Sequence, residues 1–142
     1  MKITLLVVGK TTDPRLIALT DEYCARLKHY VPFDIRVITD DNGKGILKAV
    51  PASSQMILLD ERGKEYRSIE FADFIQKKMN SGRDVVFVVG GPFGFTQEVY
   101  DRADDMVSLS KMTFSHQMIR LLFVEQLYRA CTIIKHEPYH HE

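Results

Sequence analysis

Tryptophan is absent from the 142 residues, and cysteine occurs only at Cys24 and Cys131. The two cysteines lie far apart, each inside a helix-like apolar run. They form neither a CxxC pair nor the framework of a stapled domain, and read as small buried hydrophobes. Neither charge is in excess: 19 Lys and Arg balance 19 Asp and Glu. A chain that bound nucleic acid by bulk electrostatics would be basic, so the balance argues against indiscriminate RNA or DNA binding and leaves room for a local patch on an oligomer. No apolar run reaches the ~18 residues that mark a membrane span. The opening "MKITLLVVGK" is too short for a signal peptide and has no small-residue cleavage site. The expectation is a soluble, cytoplasmic protein. There is no repeat, low-complexity tract or domain boundary, and a chain this long buries about two-thirds of its unfolded surface without staples.

Nearly continuous β-branched runs occur at Ile3–Val8, Asp34–Thr39, Met56–Asp60 and Asp84–Val89, with a weaker one at Met106–Ser110. Runs like these belong to strands covered on both faces of a parallel sheet. Helical patterns lie between them. Asp13 and Pro14 supply a cap and a first-turn proline. Ser68 is the expected cap of "SIEFADFIQKKMN", which stops at Gly82, and Thr96 is the expected cap of "TQEVYDRA". A last helix runs from about His116 to His136. The order βαβαβαβαβα implies an α/β fold with a mainly parallel sheet flanked by helices. Such sheets bind ligands beyond the carboxyl ends of their strands. That places Gly90, the expected turn Asp60–Lys64 and the segment Ser108–Phe114 near a site.

The glycine-rich stretch "GGPFGF", Gly90–Phe95, follows a strand and invites comparison with a phosphate loop. It has neither the Gly-Lys-Ser/Thr ending nor the G-x-G-x-x-G spacing. Pro92 lacks an N–H where an anion nest would need one. The glycines permit close backbone approach, which suits a flat neutral group such as an adenine or a sugar. A tight turn with no ligand is the other reading.

The C-terminal helix is apolar almost all round, so it is either central or part of an interface between two copies. It carries His116, Arg120, Glu125 and Arg129. Glu125 and Arg129 are four apart and can pair. Desolvation of such a pair on so apolar a helix is costly unless it is used. The tail "YHHE" reads by composition as disordered. His140 and His141 are adjacent and point different ways, so no metal site is expected.

The stretches "FVVGGPFGF", "SLSKMTFSHQMIRLLFVEQLYRA" and "EPYHHE", with "ILLDERGKEYRSIEFADFI" and "MKITLLVVGK", resemble the ribosomal RNA large subunit methyltransferase H family over nearly the whole chain. These SPOUT-class enzymes methylate N3 of a pseudouridine in 23S rRNA. The resemblance implies one SPOUT-type domain over residues 1–142 with a C-terminal trefoil knot, and a homodimer whose active site crosses the interface. It implies S-adenosylmethionine held by Leu59, Gly90, Leu109, Ser110, Lys111, Met112, Thr113 and Phe114. The family's polar residues match His116, Glu125, Arg129, Tyr139 and His140. The implied partner is large-subunit rRNA within the ribosome, with no membrane and no DNA. Three departures stand out. The chain is short around Asp41–Gln55. Ser115 stands where a proline is common, which would loosen that loop. His141 replaces a common arginine or lysine.

Loss of the N3 proton calls for a base or for groups that stabilise the anion. His140 is the candidate base, Glu125 its orienter and Arg129 the anion stabiliser, while Tyr139 would stack on the base or bind its carbonyl. A chain with no excess positive charge should bind naked RNA weakly and need a preformed ribosomal surface. The competing classes are a non-catalytic nucleotide-binding α/β regulatory module and, behind it, a metal-dependent hydrolase.

Overall fold

The computed structural model describes residues 1–142. Five strands alternate with five helices: β1 Ile3–Val8, α1 Pro14–Leu27, β2 Phe33–Ile38, α2 Lys44–Ala49, β3 Gln55–Glu65, α3 Ser68–Asn80, β4 Val85–Val89, α4 Gln97–Arg102, β5 Asp105–Ser108 and α5 Met118–Ile134. The strands form one all-parallel sheet in the order β2-β1-β4-β3-β5. Register follows the apolar runs: Val7 and Leu59 flank Val89, and Val107 lies beside Leu59. The segments that leave Leu59, Val89 and Val107 therefore emerge at the same edge.

Side chains alternate between two cores. Ile3, Leu5, Val7, Ile57 and Phe87 face a large core with Leu27, Phe71, Phe123 and Leu127 from α1, α3 and α5. Leu6, Met56, Leu58 and Val88 face a smaller one with Ile46 and Val99 from α2 and α4. All five residues of β4 are buried, as a strand covered on both faces requires. No helix is long and apolar enough to cross a membrane. Cys24 and Cys131 are free, and burial pushes their thiols up to about 11 and about 12, so both are inert fillers.

Two local expectations change. The stretch Asp60–Lys64 is not a terminating turn. Leu59 and Lys64 both stand opposite Val107, and the residues between them loop out before β3 resumes beside β5. The Asp60 carboxylate accepts the Arg62 N–H at 2.8 Å and so shapes that loop. Gly63 lets the returning strand lie flat, since a Cβ there would stand 2.7 Å from the Val107 nitrogen. In α3 the cap position falls to Arg67, not Ser68. The Glu70 carboxylate accepts the Arg67 N–H at 2.8 Å, and the Ser68 hydroxyl donates to Gln126 on α5 at 3.1 Å. The Asp13 and Thr96 caps form as expected, with side-chain oxygens accepting from Arg15 N and Val99 N.

Candidate active site

The segments after β3, β4 and β5 meet around a cavity of about 490 Å³. Leu59, Gly90, Leu109, Ser110, Met112, Thr113, Phe114 and His116 all line it. Of the residues expected to hold a ligand there, only Lys111 does not. A Cβ on Gly90 would stand 3.1 Å from the Phe95 ring and 3.2 Å from the Gly94 carbonyl, so glycine keeps this wall open. The segment after β5 folds on itself: Ser108 Oγ donates to the Ser110 carbonyl at 2.8 Å, and Met112 N–H donates to Ser110 Oγ at 2.9 Å. Thr113 Oγ1 then donates to the Glu61 carboxylate at 2.8 Å, which ties this segment to the β3 loop.

The stretch Asp60–Lys64, expected near the site, supplies Asp60, Glu61 and Arg62 to the wall, and the glycine-rich stretch supplies Phe95; sequence reasoning missed Tyr100, which also lines the cavity. The Tyr100 hydroxyl donates to Asp60, and the Arg62 guanidinium lies over the Tyr100 ring at 3.9 Å. Burial and the Asp60 contact hold the Tyr100 hydroxyl above its ordinary range. The strand-end position of Asp60 and Glu61 was the available signal; for Tyr100 there was none. The wall sets two carboxylates against one guanidinium, Arg62, which lies 3.5 Å from Asp60, so it has no excess of positive charge to hold a polyphosphate.

Ser115 does not loosen the approach to α5. Its hydroxyl accepts the Met118 N–H at 3.0 Å and its carbonyl accepts the Ile119 N–H at 3.1 Å, as a helix cap does. Arg120, one turn on, is fully buried with no carboxylate partner. Its Nε donates to the His116 carbonyl at 2.8 Å, Nη1 to the Gly9 carbonyl at 2.8 Å and to Thr11 Oγ1 at 3.1 Å, and Nη2 to the Val8 carbonyl at 2.9 Å. The guanidinium thus fastens the exit of β1 to the start of α5. Burial lowers its affinity for the proton from the ordinary arginine value.

The other polar residues gather elsewhere. Glu125 Oε1 accepts from Arg129 Nε at 3.1 Å and Nη2 at 2.5 Å, and from the Tyr139 hydroxyl at 3.2 Å. Arg129 Nη1 lies 3.1 Å from His140 Nδ1. Because arginine only donates, Nδ1 accepts, and the imidazole carries its proton on Nε2. That N–H is buried and has no acceptor; the nearest carboxylate oxygen, on Glu142, is 3.9 Å away. The expected His140–Glu125 contact is not made, because Arg129 stands between them. The tail is not loose. His136 takes a positive φ and the chain turns back, so that Tyr139 packs on Tyr128 at 4.7 Å between centroids. The Tyr23 hydroxyl lies 3.3 Å from that of Tyr139, an additional contact the sequence did not signal. Burial, Tyr23 and Glu125 together raise the Tyr139 hydroxyl well above its ordinary value.

Within one chain His116 and this cluster stay apart. From Met118 to Arg129 the helix rises ~17 Å. A second cavity of about 350 Å³ lies between, bounded by Leu109 and Phe114 on the side of the first cavity and by Glu125 on the other.

Comparison with known proteins bears on this arrangement. A family model described as "Predicted SPOUT methyltransferase" matches residues 1–140. Proteins named ribosomal RNA large subunit methyltransferase H are similar over full length: that of Porphyromonas gingivalis W83 is 52% identical, and that of Phocaeicola vulgatus 49% identical, each over 100% of both chains. These alignments run to 157 positions against 142 residues here, so the missing positions are internal. A probable methyltransferase structure from Bordetella pertussis Tohama I shares the fold with a TM-score of 0.61 at 9% identity, covering 92% of this chain and 94% of that one. A probable methylase family protein from Haemophilus influenzae Rd KW20 also scores 0.61, at 10% identity, over 99% of this chain and 70% of that one.

Proposed function

The chain belongs to the SPOUT methyltransferase family, and from that premise we propose that it methylates N3 of a pseudouridine in large-subunit ribosomal RNA, using S-adenosylmethionine. The observation that carries this reading is the convergence of three strand-end segments on one cavity whose wall has no excess of positive charge. The residues fit the donor: Gly90 and Leu109 offer backbone to a neutral adenosine, while Asp60 and Glu61 suit a cationic sulfonium and ammonium better than phosphates. A nucleotide-binding regulatory module would want an excess of positive charge on this wall. The same reading carries the trefoil knot, with the segment after β5 passing the loop that follows β4, and treats residues 1–142 as one domain.

The donor, when bound, supplies an electrophilic methyl group; the chain must orient the acceptor and manage one proton. Transfer would form an N–CH3 bond as a C–S bond of the donor breaks, with the N3 proton passing to His140 Nδ1 once Arg129 releases it, or to solvent. Arg129, whose Nε and Nη2 both donate to one oxygen of Glu125, is a held cation to stabilise the ring anion. The orphaned Nε2–H of His140 suits a carbonyl oxygen of that ring. For His140 to act as the base it must first leave Arg129. Tyr139, held by Tyr128 and Glu125 with the Arg129 guanidinium 4.9 Å from its ring centroid, stands beside that cation to contact the base. His116 borders the donor cavity and serves the donor side.

One chain does not bring these two groups together, which supports a homodimer in which the tail of one copy faces the donor cavity of the other. Met118 is 44% exposed and Leu121 and Leu122 are only half-buried on α5, an apolar surface for the second copy. The balanced charge favours assembled ribosomes over naked RNA as the substrate, and a cytoplasmic enzyme with no role for DNA or membrane. Thermal shift with S-adenosylmethionine, ATP and NAD tests the donor: stabilisation by S-adenosylmethionine is expected, and stabilisation by ATP alone overturns the reading. Single-turnover methylation of ribosomes tests the rest: Glu125→Ala and His140→Ala should each be slowed at least about tenfold, and full activity in both removes the assignment.

A further inference from the structure

A third cavity, of about 350 Å³, backs onto the donor cavity across the loop Gly91–Phe95. The loop is a tight turn: Gly94 N–H donates to the Gly91 carbonyl at 3.1 Å, and the two residues pair as a bridge. Pro92 and Phe93 are thereby held at its tip. The Phe93 side chain is 101% exposed, the largest exposure of any bulky apolar residue in the chain. Across this cavity stand Asp40, Asp41 and Asn42. Both Asp40 oxygens are occupied, accepting from Gly43 N and Ile46 N, whereas Asp41 and Asn42 have free side chains.

Of the bulky apolar side chains that line this cavity, Phe93 alone is exposed; Ile46 is buried, Val8 and Phe95 are half-buried, and the polar lining is Asp40, Asp41, Asn42 and Thr96. A protein interface needs a desolvated apolar centre, which a single exposed ring does not provide. One planar base needs only one ring face. The carboxylates repel phosphate, so a nucleic acid would present a base here and not its backbone. With no net positive charge to draw RNA in, contacts of this kind must supply much of the affinity.

We propose that Phe93 is an RNA-recognition residue: it stacks on an unpaired base that flanks the methylated nucleotide, and that base is seated in the cavity beside Asp41 and Asn42. This rests on the ribosomal RNA reading above. Stacking on an aromatic ring sets the expected scale, so Phe93→Ala should raise the KM for ribosomes about 5- to 100-fold. Phe93→Tyr should restore it, and the KM for S-adenosylmethionine should not move. The slope of log KM against log salt should also stay unchanged, since no phosphate contact is lost. An unchanged KM for ribosomes overturns the inference. So does a KM change that tracks loss of the dimer, because the ring then serves the second copy. Absence of methyl transfer by the wild-type protein would instead defeat the functional reading. Phe93→Trp keeps the stacking question open in that case, because it introduces the sole tryptophan of the chain. Quenching of its fluorescence by unpaired RNA supports the inference, and a signal indifferent to RNA overturns it.

Discussion

Replacing Arg120 tests the account of how the donor cavity is built. Its guanidinium makes four hydrogen bonds, three of them to the main-chain carbonyls of Val8, Gly9 and His116. A hydrogen bond to a charged group contributes about 1.5–3 kcal/mol. Against the sum stands the cost of holding an unpaired cation out of water, which is several kcal/mol. Arg120→Met recovers that cost but strands the carbonyls, for a net loss of about 3 kcal/mol. Arg120→Lys keeps the buried charge and reaches fewer carbonyls, so it should lose at least as much. The rank order is the sharper part of the prediction, because a role resting on charge alone would make lysine the milder change. Urea unfolding gives the free energies, and a fall in Tm of about 10 °C should accompany them. Lysine within about 1 kcal/mol of wild type would refute the argument from multiple carbonyls.

Alkaline stability offers an independent check. Cys24 and Cys131 are raised from 9.0 to about 11 and about 12, Tyr30 from 10.0 to about 12, and Tyr139 further. The folded state keeps these protons after the unfolded chain has lost them, so the stabilisation is complete below about pH 9 and is lost as pH climbs towards 12. Unfolding free energy measured across that range should fall steadily, and a flat profile would contradict the Tyr30–Glu137 hydrogen bond and the burial of the two thiols and Tyr139. At the tail, the Glu125–Arg129 pair should give a coupling of about 1–3 kcal/mol in a double-mutant cycle read by stability. Near-zero coupling would mean that the pair is not fixed in solution.

The strand runs were legible because β-branched continuity has one physical cause, burial on both faces. β1 is found where its sequence places it, at Ile3–Val8. What the sequence hid was decided by partners distant along the chain. Asp60–Lys64 has the composition of a turn, yet β5 runs beside it and recaptures the strand after the loop. Ser68 has the chemistry of a cap, but Gln126 takes its hydroxyl. The residues that line the cavity beyond the strand ends were legible from motifs and the strand-end rule, except for Tyr100, which arrives from α4. In the polar cluster the members were foreseen but the wiring was not: Arg129 shares Glu125's helical face and reaches it first, leaving His140 to the arginine. The tail looked disordered because its charge count says nothing about Tyr23 and Tyr128, which give Tyr139 a place to pack.

The distance along α5 between His116 and the Arg129 cluster has a genetic meaning. On the two-copy reading, each composite site draws its donor wall from one polypeptide and its tail from the other. An allele damaged at the donor wall and one damaged at the tail would then complement each other, since a mixed dimer carries one site with both lesions and one with neither. Random reassociation makes half the dimers mixed, leaving roughly a quarter of all sites intact. Two inactive proteins, mixed, would yield an active preparation.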